Sequence, residues 1–134
     1  EVVNDTLDVP VLVTHCSLCR SGLTAVRRVR GRETTFGVTG ELWQPPDDAT
    51  GAAFGAAADV KNTSAFRAVN APNLVMFDTA TRSYWSQLLA RAICGPLTGE
   101  FLDLVPSTFA TLGDWREAHP ETSVLLPPPH SKTL

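Results

Sequence analysis

A chain of 134 residues is long enough to bury one hydrophobic core, and an apolar content of 43% predicts a folded globular domain rather than a disordered one. The net charge of −3 is too small to indicate a nucleic-acid partner, and no apolar run is long enough to cross a bilayer. We therefore expect a single domain over residues 1–134 without a transmembrane segment and without nucleic-acid binding. The sequence indicates no particular compartment.

The first strong pattern is an apolar strand that ends at a Cys-x-x-Cys motif. Residues 1–8 are predicted to be a polar segment with a turn, and Pro10 suits the first position of the strand that follows. Side chains alternate across a strand, so Cys16 is expected on one face and His15 on the other. A short turn then brings Cys19 back towards Cys16. We identify this pair as the candidate site, either as two reactive thiols or as ligands of a soft metal ion, copper or zinc.

A hairpin rich in arginine follows the cysteine turn. Residues 23–29 predict a strand, residues 30–32 a turn and residues 34–42 the returning strand, in which Gly37 and Gly40 indicate a bulge or a close backbone approach. Five arginines lie in this hairpin and its lead-in: Arg20, Arg27, Arg28, Arg30 and Arg32. We expect most of them to lie on the solvated face. The exception is Arg20, which directly follows Cys19 and favours a thiolate or an anionic cofactor at the candidate site.

Two segments lack a regular apolar period. Residues 44–72 are rich in small residues and proline, which predicts a long surface loop inserted between strands and dispensable for folding. Residues 127–134 begin with three prolines and predict an extended tail.

The segment from 73 to 89 predicts a second hairpin, with strands over residues 74–77 and 83–88 and a turn that begins at Asp78. Alternation places Ser83, Trp85 and Gln87 on one face of the return strand. This row is typical of a pocket wall, and equally of the wet face of an antiparallel sheet. Asp78 and Gln87 are candidate neighbours of the cysteine pair, and Trp85 is a candidate cofactor contact.

The last third of the chain predicts another hairpin and a helix. Residues 91–94 and 100–105 form the predicted strands, and Cys94 is expected to be a buried small side chain. A capping box over residues 111–114 begins a helix that Pro120 ends. His119 is placed to cap the last carbonyls or to face the site. Residues 121–126 predict a final strand.

Five motifs in this order resemble the prokaryotic family catalogued as domain of unknown function 3179: VTHCSLCRSG, TTFGVTGEL, NLVMFDTATRSYWSQLL, GPLTGE and DWREAHPET. The resemblance covers nearly the whole chain and implies no established activity. Members typically read Val-Thr-Tyr-Cys-Pro-Leu at residues 13–18, so His15 and Ser17 are departures. Because the second cysteine is not uniform in such sequences, the resemblance favours Cys16 over Cys19 as the centre. It also implies a shorter link than residues 44–72 and a further N-terminal part upstream of Glu1, which we expect this chain to lack.

Together these patterns predict a mainly β domain of antiparallel hairpins, forming a small barrel or a sandwich, with one short helix near the C-terminus. The first functional hypothesis is a thiol or metal centre at Cys16, with Cys19 as the resolving thiol or second ligand and His119, Asp78 and Gln87 nearby. The second is a non-catalytic binding or structural domain in which the cysteines are only buried. The sequence leaves open whether the protein is an enzyme.

Overall fold

The computed structural model of the chain describes residues 1–43 and 72–126. The strands are β1 (Val2–Thr6), β2 (Pro10–Cys16), β3 (Ser21–Val26), β4 (Arg28–Val29), β5 (Arg32–Glu33), β6 (Phe36–Trp43), β7 (Asn73–Asp78), β8 (Tyr84–Ser86) and β9 (Arg91–Cys94), and helix α1 is Leu112–Ala118. The predicted loop over residues 44–72, apart from Pro72, and the predicted tail over residues 127–134 lie outside the described residues.

The predicted mainly β class with antiparallel pairing is confirmed. The strands form a three-stranded sheet in the order β1-β2-β3, a β4-β5 hairpin and a four-stranded sheet in the order β6-β7-β8-β9. In the described part of the chain none of these sheets closes into a barrel, so the sandwich is the predicted architecture that fits. Buried residues of the two larger sheets belong to one hydrophobic cluster, whose largest fully buried members are Trp85, Leu12 and Met76.

The alternation predicted for β2 is confirmed. Leu12, Thr14 and Cys16 are buried, whereas Val13 and His15 are exposed, and His15 stacks on the ring of Phe109 instead of facing Cys16. The cysteine therefore enters the core from the end of the central strand of its sheet.

The prediction of a polar turn in residues 1–8 is wrong, because these residues contribute the edge strand β1. Val2 pairs with Thr14 and the register continues along β2. Asn4, expected in a turn, instead donates its amide to the Phe36 carbonyl over 2.8 Å and accepts the Phe36 N–H over 2.7 Å. Its side chain thus replaces a backbone partner for β6 and joins the two larger sheets.

The predicted strand 23–29 breaks at Arg27, and the expectation of a solvated side chain is wrong for this arginine. Arg27 is 8% exposed and forms an ion pair with Glu33 at 2.6 Å. Its guanidinium also donates to the carbonyls of Asp5 and Thr34 and to the Thr6 hydroxyl. A buried guanidinium needs such partners for its donors, and the partners come from two separate segments, residues 5–6 and residues 33–34.

Both glycines singled out in β6 have the predicted roles. A Cβ at Gly37 would lie 2.6 Å from the Phe77 ring of β7, so the backbone approaches that ring closely. The pairing of β6 with β7 shifts register between Val38 and Leu42, and Gly40 inside this bulge has a φ of +82°. Glycine tolerates that left-handed conformation without strain.

The C-terminal part differs from the prediction in its strands. Residues 100–105 make only the isolated bridges of Phe101 with Arg91 and Leu104 with Ala25, and residues 121–126 are not a strand. Helix α1 follows the predicted capping box, with the Thr111 hydroxyl accepting the N–H of Asp114. No helix among the described residues is both long and apolar enough to span a membrane.

Candidate functional site

The cysteine turn joins the ends of β2 and β3. Cys16 is the last residue of β2, residues 17–20 form the turn, and Ser21 begins β3 opposite Cys16. The sulfur atoms of Cys16 and Cys19 lie at disulfide-bonding distance, with their Cα atoms 5.2 Å apart. The N–H of Cys19 also donates to the Sγ of Cys16 over 3.2 Å. Arg20, with a φ of 50°, completes the return into β3.

Exposure separates the two cysteines. Cys16 is only 3% exposed, although it ends its strand at a turn. Cys19 is partly buried and packs against the core, while Leu18 between them is 80% exposed. The side chain of Cys16 is buried because β2 is the central strand and Cys16 shares its inward face with Leu12. Cys19 is therefore the more exposed residue of the pair.

A buried polar network lies beside the turn. Gln87, only 1% exposed, donates its Nε2 to the Thr14 hydroxyl over 2.9 Å and accepts the Ser21 hydroxyl on Oε1 over 2.7 Å. The Nδ2 of Asn73 donates to the same Ser21 oxygen over 2.9 Å, and its Oδ1 accepts the N–H of Leu88. The network therefore ties both strands of the cysteine hairpin to the four-stranded sheet. It brings the predicted neighbour Gln87 next to the candidate site.

The face predicted for Ser83, Trp85 and Gln87 exists, but it is not the wet face of the sheet. These side chains are 0%, 0% and 1% exposed. Gln87 bonds to the cysteine hairpin, Trp85 belongs to the core cluster and Ser83 accepts the N–H of Leu97, so the polar row is internal.

Asp78 lies away from the cysteine pair, and Trp85 is a core residue hydrogen-bonded to Asp78. Asn73 begins β7 beside Ser21, and Asp78 ends the same strand, so the two are separated by roughly 16 Å of extended chain. Trp85 donates its Nε1 to the Oδ2 of Asp78 over 3.0 Å and packs edge-to-face on Phe36. Trp85 pairs with Met76 in the middle of β7, and its fully buried side chain presents no surface to a cofactor.

Asp78 is fully buried and its carboxylate collects donors from its own turn. It accepts the N–H and hydroxyl of Thr81 and the N–H of Ser83, besides the indole of Trp85. Burial by itself raises the pKa of this carboxyl, but the hydrogen bonds from Trp85, Thr81 and Ser83 together outweigh burial and lower the pKa below its ordinary value of 3.8. The group is a fixed anion that holds the turn between β7 and β8.

The two remaining predicted site residues are on the surface. The ring of His119 stacks on Trp115 of its own helix, with centroids 4.1 Å apart, and no hydrogen bond of the described residues links it to a cysteine. Its backbone N–H caps the helix by donating to the Trp115 carbonyl. Arg20 is exposed directly after Cys19, as predicted.

The prediction that Cys94 is buried is wrong. Cys94 is a free, exposed thiol at the end of the edge strand β9. Within residues 1–43 and 72–126 no segment covers this side chain, and the chain turns directly after it at Gly95, which has a φ of 101°. Any thiol measurement on this protein must therefore separate Cys94 from the pair.

Sequence reasoning missed Ser21 and Asn73 as members of the site. Ser21 was within reach, since a four-residue turn after Cys16 places residue 21 opposite it in a hairpin. Asn73 had no such signal, because its contact with Ser21 joins residues 52 positions apart in different sheets. For a metal, the described residues contain no group of three or more His, Cys, Asp or Glu side chains that could hold an ion.

Comparison with known families supports the motif-based resemblance. The family described as "Protein of unknown function (DUF3179)" matches residues 1–46 and 49–133. None of the curated proteins and none of the solved structures matches the chain. The family match includes the cysteine turn, the Asp78 turn and helix α1. Because it spans nearly the whole sequence, the chain belongs to the DUF3179 family.

Proposed function

We propose that the protein carries a reversible dithiol–disulfide pair, Cys16 and Cys19, that exchanges with external thiols. The observation that carries this proposal is the combination of one buried and one partly exposed cysteine, with their sulfur atoms at bonding distance in a strand-end turn. Thiol exchange needs an accessible sulfur for attack and a stabilised sulfur to leave. The Cys19 N–H that points at Cys16 Sγ suits a Cys16 thiolate.

The exchange uses a dithiol as the co-reactant. Its thiolate attacks the Sγ of Cys19, the bond between Cys16 and Cys19 breaks, and Cys16 leaves as a thiolate. The second thiol of the reductant then attacks the mixed disulfide at its own sulfur and releases Cys19. Two electrons and two protons pass to the cysteine pair, and the reductant becomes a disulfide. The reverse sequence oxidises the pair.

This assignment changes the roles expected from the sequence. Cys19 becomes the sulfur that exchanges with the partner, because it is the more exposed residue, and Cys16 becomes the resolving thiol. Arg20 keeps its predicted role of favouring a thiolate by its charge. Gln87 keeps a place beside the pair, whereas the contacts of Asp78, Trp85 and His119 lie elsewhere and these residues are left out of the mechanism.

The second candidate is the structural role, and the packing of the cysteines favours it. Cys16 is a member of the hydrophobic core and Cys19 packs against that core. On this hypothesis the cross-link only closes the turn between β2 and β3. A measured reduction potential separates the two candidates, because structural disulfides generally lie below about −300 mV and exchangeable ones above it.

The test is a thiol titration and redox equilibration of the Cys94→Ser protein, in which the exposed third thiol is absent. Exchange predicts that both remaining thiols disappear on oxidation and return on reduction, with a reduction potential above about −300 mV. Cys16→Ser, which leaves the more exposed Cys19, should react faster with a disulfide reagent than Cys19→Ser. A reduction potential below about −300 mV, or equally slow reaction of Cys16→Ser and Cys19→Ser, would instead support the structural role. Metal analysis of the reduced protein, purified without a histidine tag, decides whether copper or zinc binds the two thiolates.

A further inference from the structure

Ser21 is the direct cross-strand neighbour of Cys16. The antiparallel register of β2 and β3 pairs Cys16 with Ser21, immediately on either side of the turn. Paired residues of antiparallel strands point to the same face, with their Cβ atoms about 5 Å apart. Any displacement of Ser21 would therefore move the strand end that holds the buried sulfur.

The Ser21 hydroxyl is held from the opposite sheet by two amide side chains. It donates to Gln87 Oε1 over 2.7 Å and accepts from Asn73 Nδ2 over 2.9 Å. Gln87 and Asn73 are 1% and 6% exposed, so both amides are fixed by packing as well as by their own hydrogen bonds. These hydrogen bonds fix the Ser21 hydroxyl in one position, because a buried donor or acceptor that is left without a partner costs about 1 to 3 kcal/mol.

The hydrogen bonds of Ser21 do not involve either sulfur. When the bond between Cys16 and Cys19 opens, the turn over residues 17–20 loses its covalent link, but Ser21 stays tied to the four-stranded sheet. Cys16 is then held at its pairing position opposite Ser21 by β3. The two thiols of the reduced protein therefore remain near each other, which is equivalent to a high effective concentration of one thiol for the other.

We infer that Ser21 is a positioning residue of the redox pair, which sets its reduction potential through the hydrogen bonds to Gln87 and Asn73. This inference rests on the proposed thiol exchange. A well-positioned dithiol closes more readily, so the anchored serine favours the oxidised form. Loosening the anchor disfavours closure and makes the potential less negative.

The experiment compares Ser21→Ala with Ser86→Ala, both in the Cys94→Ser background. Ser86 is a buried serine, 3% exposed, whose hydroxyl accepts the N–H of Leu89 over 3.3 Å, so the control removes a buried hydroxyl from the other sheet. Each protein is equilibrated with oxidised and reduced dithiothreitol, and its thiols are then trapped and counted. We expect Ser21→Ala to reduce the equilibrium constant for closure about tenfold, which corresponds to about 30 mV, and Ser86→Ala to leave it unchanged.

Two further variants keep the test decisive if Ser21→Ala does not fold. Gln87→Met removes the acceptor of the Ser21 hydroxyl and should shift the equilibrium in the same direction. Ser21→Thr retains the hydroxyl on a residue that suits a strand, and it should restore the wild-type equilibrium constant. If the equilibrium constant for closure changes equally in Ser21→Ala and Ser86→Ala, or changes in neither, the positioning role is overturned while the proposed thiol exchange still stands. A parent pair that does not equilibrate with dithiothreitol would overturn the proposed function and this inference with it.

Discussion

Asp78→Asn is the sharpest test of the buried turn between β7 and β8. The substitution keeps the shape of the side chain but replaces one acceptor oxygen by an NH₂ group. In one amide orientation this group faces the donors of Trp85 and Ser83, and in the other it faces the donors of Thr81. Either way at least one buried donor loses its acceptor, at about 1 to 3 kcal/mol for each group. We expect a loss of about 3 kcal/mol at pH 7, or roughly 10 °C in the unfolding midpoint.

The same variant has a defined pH dependence. The pKa of Asp78 lies below 3.8 in the folded protein, so between that lower pKa and 3.8 the unfolded chain binds more protons than the folded one. The stability from the ionised carboxylate is therefore complete above about pH 4 and is lost as the pH falls through the folded pKa. The difference between wild type and Asp78→Asn should be largest near neutral pH and should narrow under acid conditions.

The assay is urea unfolding of both proteins from pH 7 to pH 2, with the indole N–H signal of Trp85 as a local probe. Asp103→Asn is the matched control, because Asp103 is exposed and its removal should change stability by less than about 0.5 kcal/mol. The assigned role of the carboxylate is refuted if the free energy of unfolding of Asp78→Asn lies within about 0.5 kcal/mol of the wild-type value at pH 7. It is also refuted if the difference between the two free energies does not decrease as the pH falls.

Three other substitutions test the packing of the fold by thermal unfolding. Gly37→Ala should destabilise by about 1 to 3 kcal/mol, because its Cβ would meet the Phe77 ring at 2.6 Å; an unchanged midpoint would mean that the ring moves aside freely. Gly113→Ala, in helix α1, adds a Cβ that would make an ordinary contact with the Thr111 Oγ1 at 3.9 Å, so it should stabilise by up to about 1 kcal/mol, and any loss would contradict this. Arg27→Met should lower stability by about 3 kcal/mol, since it leaves buried carbonyl and hydroxyl acceptors without donors, and a neutral result would show that water replaces the guanidinium.

The cysteine motif shows how far local patterns reach. Strand alternation correctly separated His15 from Cys16, and the short spacing correctly placed Cys19 beside Cys16. Strand alternation and spacing do not predict which of the two cysteines is buried. Their burial depends on which face of β2 the four-stranded sheet covers, and that contact joins segments distant in sequence.

For Asp78 and Cys94, position along the chain did not predict where the side chain lies in the fold. Asp78 is a predicted neighbour of the cysteines, but the length of β7 places it at the far end of that strand from Asn73 and Ser21. Cys94 follows an isoleucine, which favours burial, yet it ends an edge strand and is exposed. Local alternation predicts neither the position of Asp78 nor the exposure of Cys94. The first depends on the length of β7 and the second on the position of β9 at the edge of its sheet.

The sequence by itself determined the β class, the turns of the cysteine hairpin and of Asp78, the bulge glycines, the capped helix and the proximity of the two nearby cysteines, whereas the predicted return strand 34–42 pairs with β7 instead of with residues 23–29. Each of the correctly predicted features follows from backbone sterics and hydrogen bonding within a few residues, where the chain has few alternatives. Only the tertiary structure decided that β1 is a strand, that Arg27 is buried, and that Ser21 meets Gln87 and Asn73. These depend on which distant segments pack together, and the free energy of that packing is shared among many contacts rather than encoded in one motif.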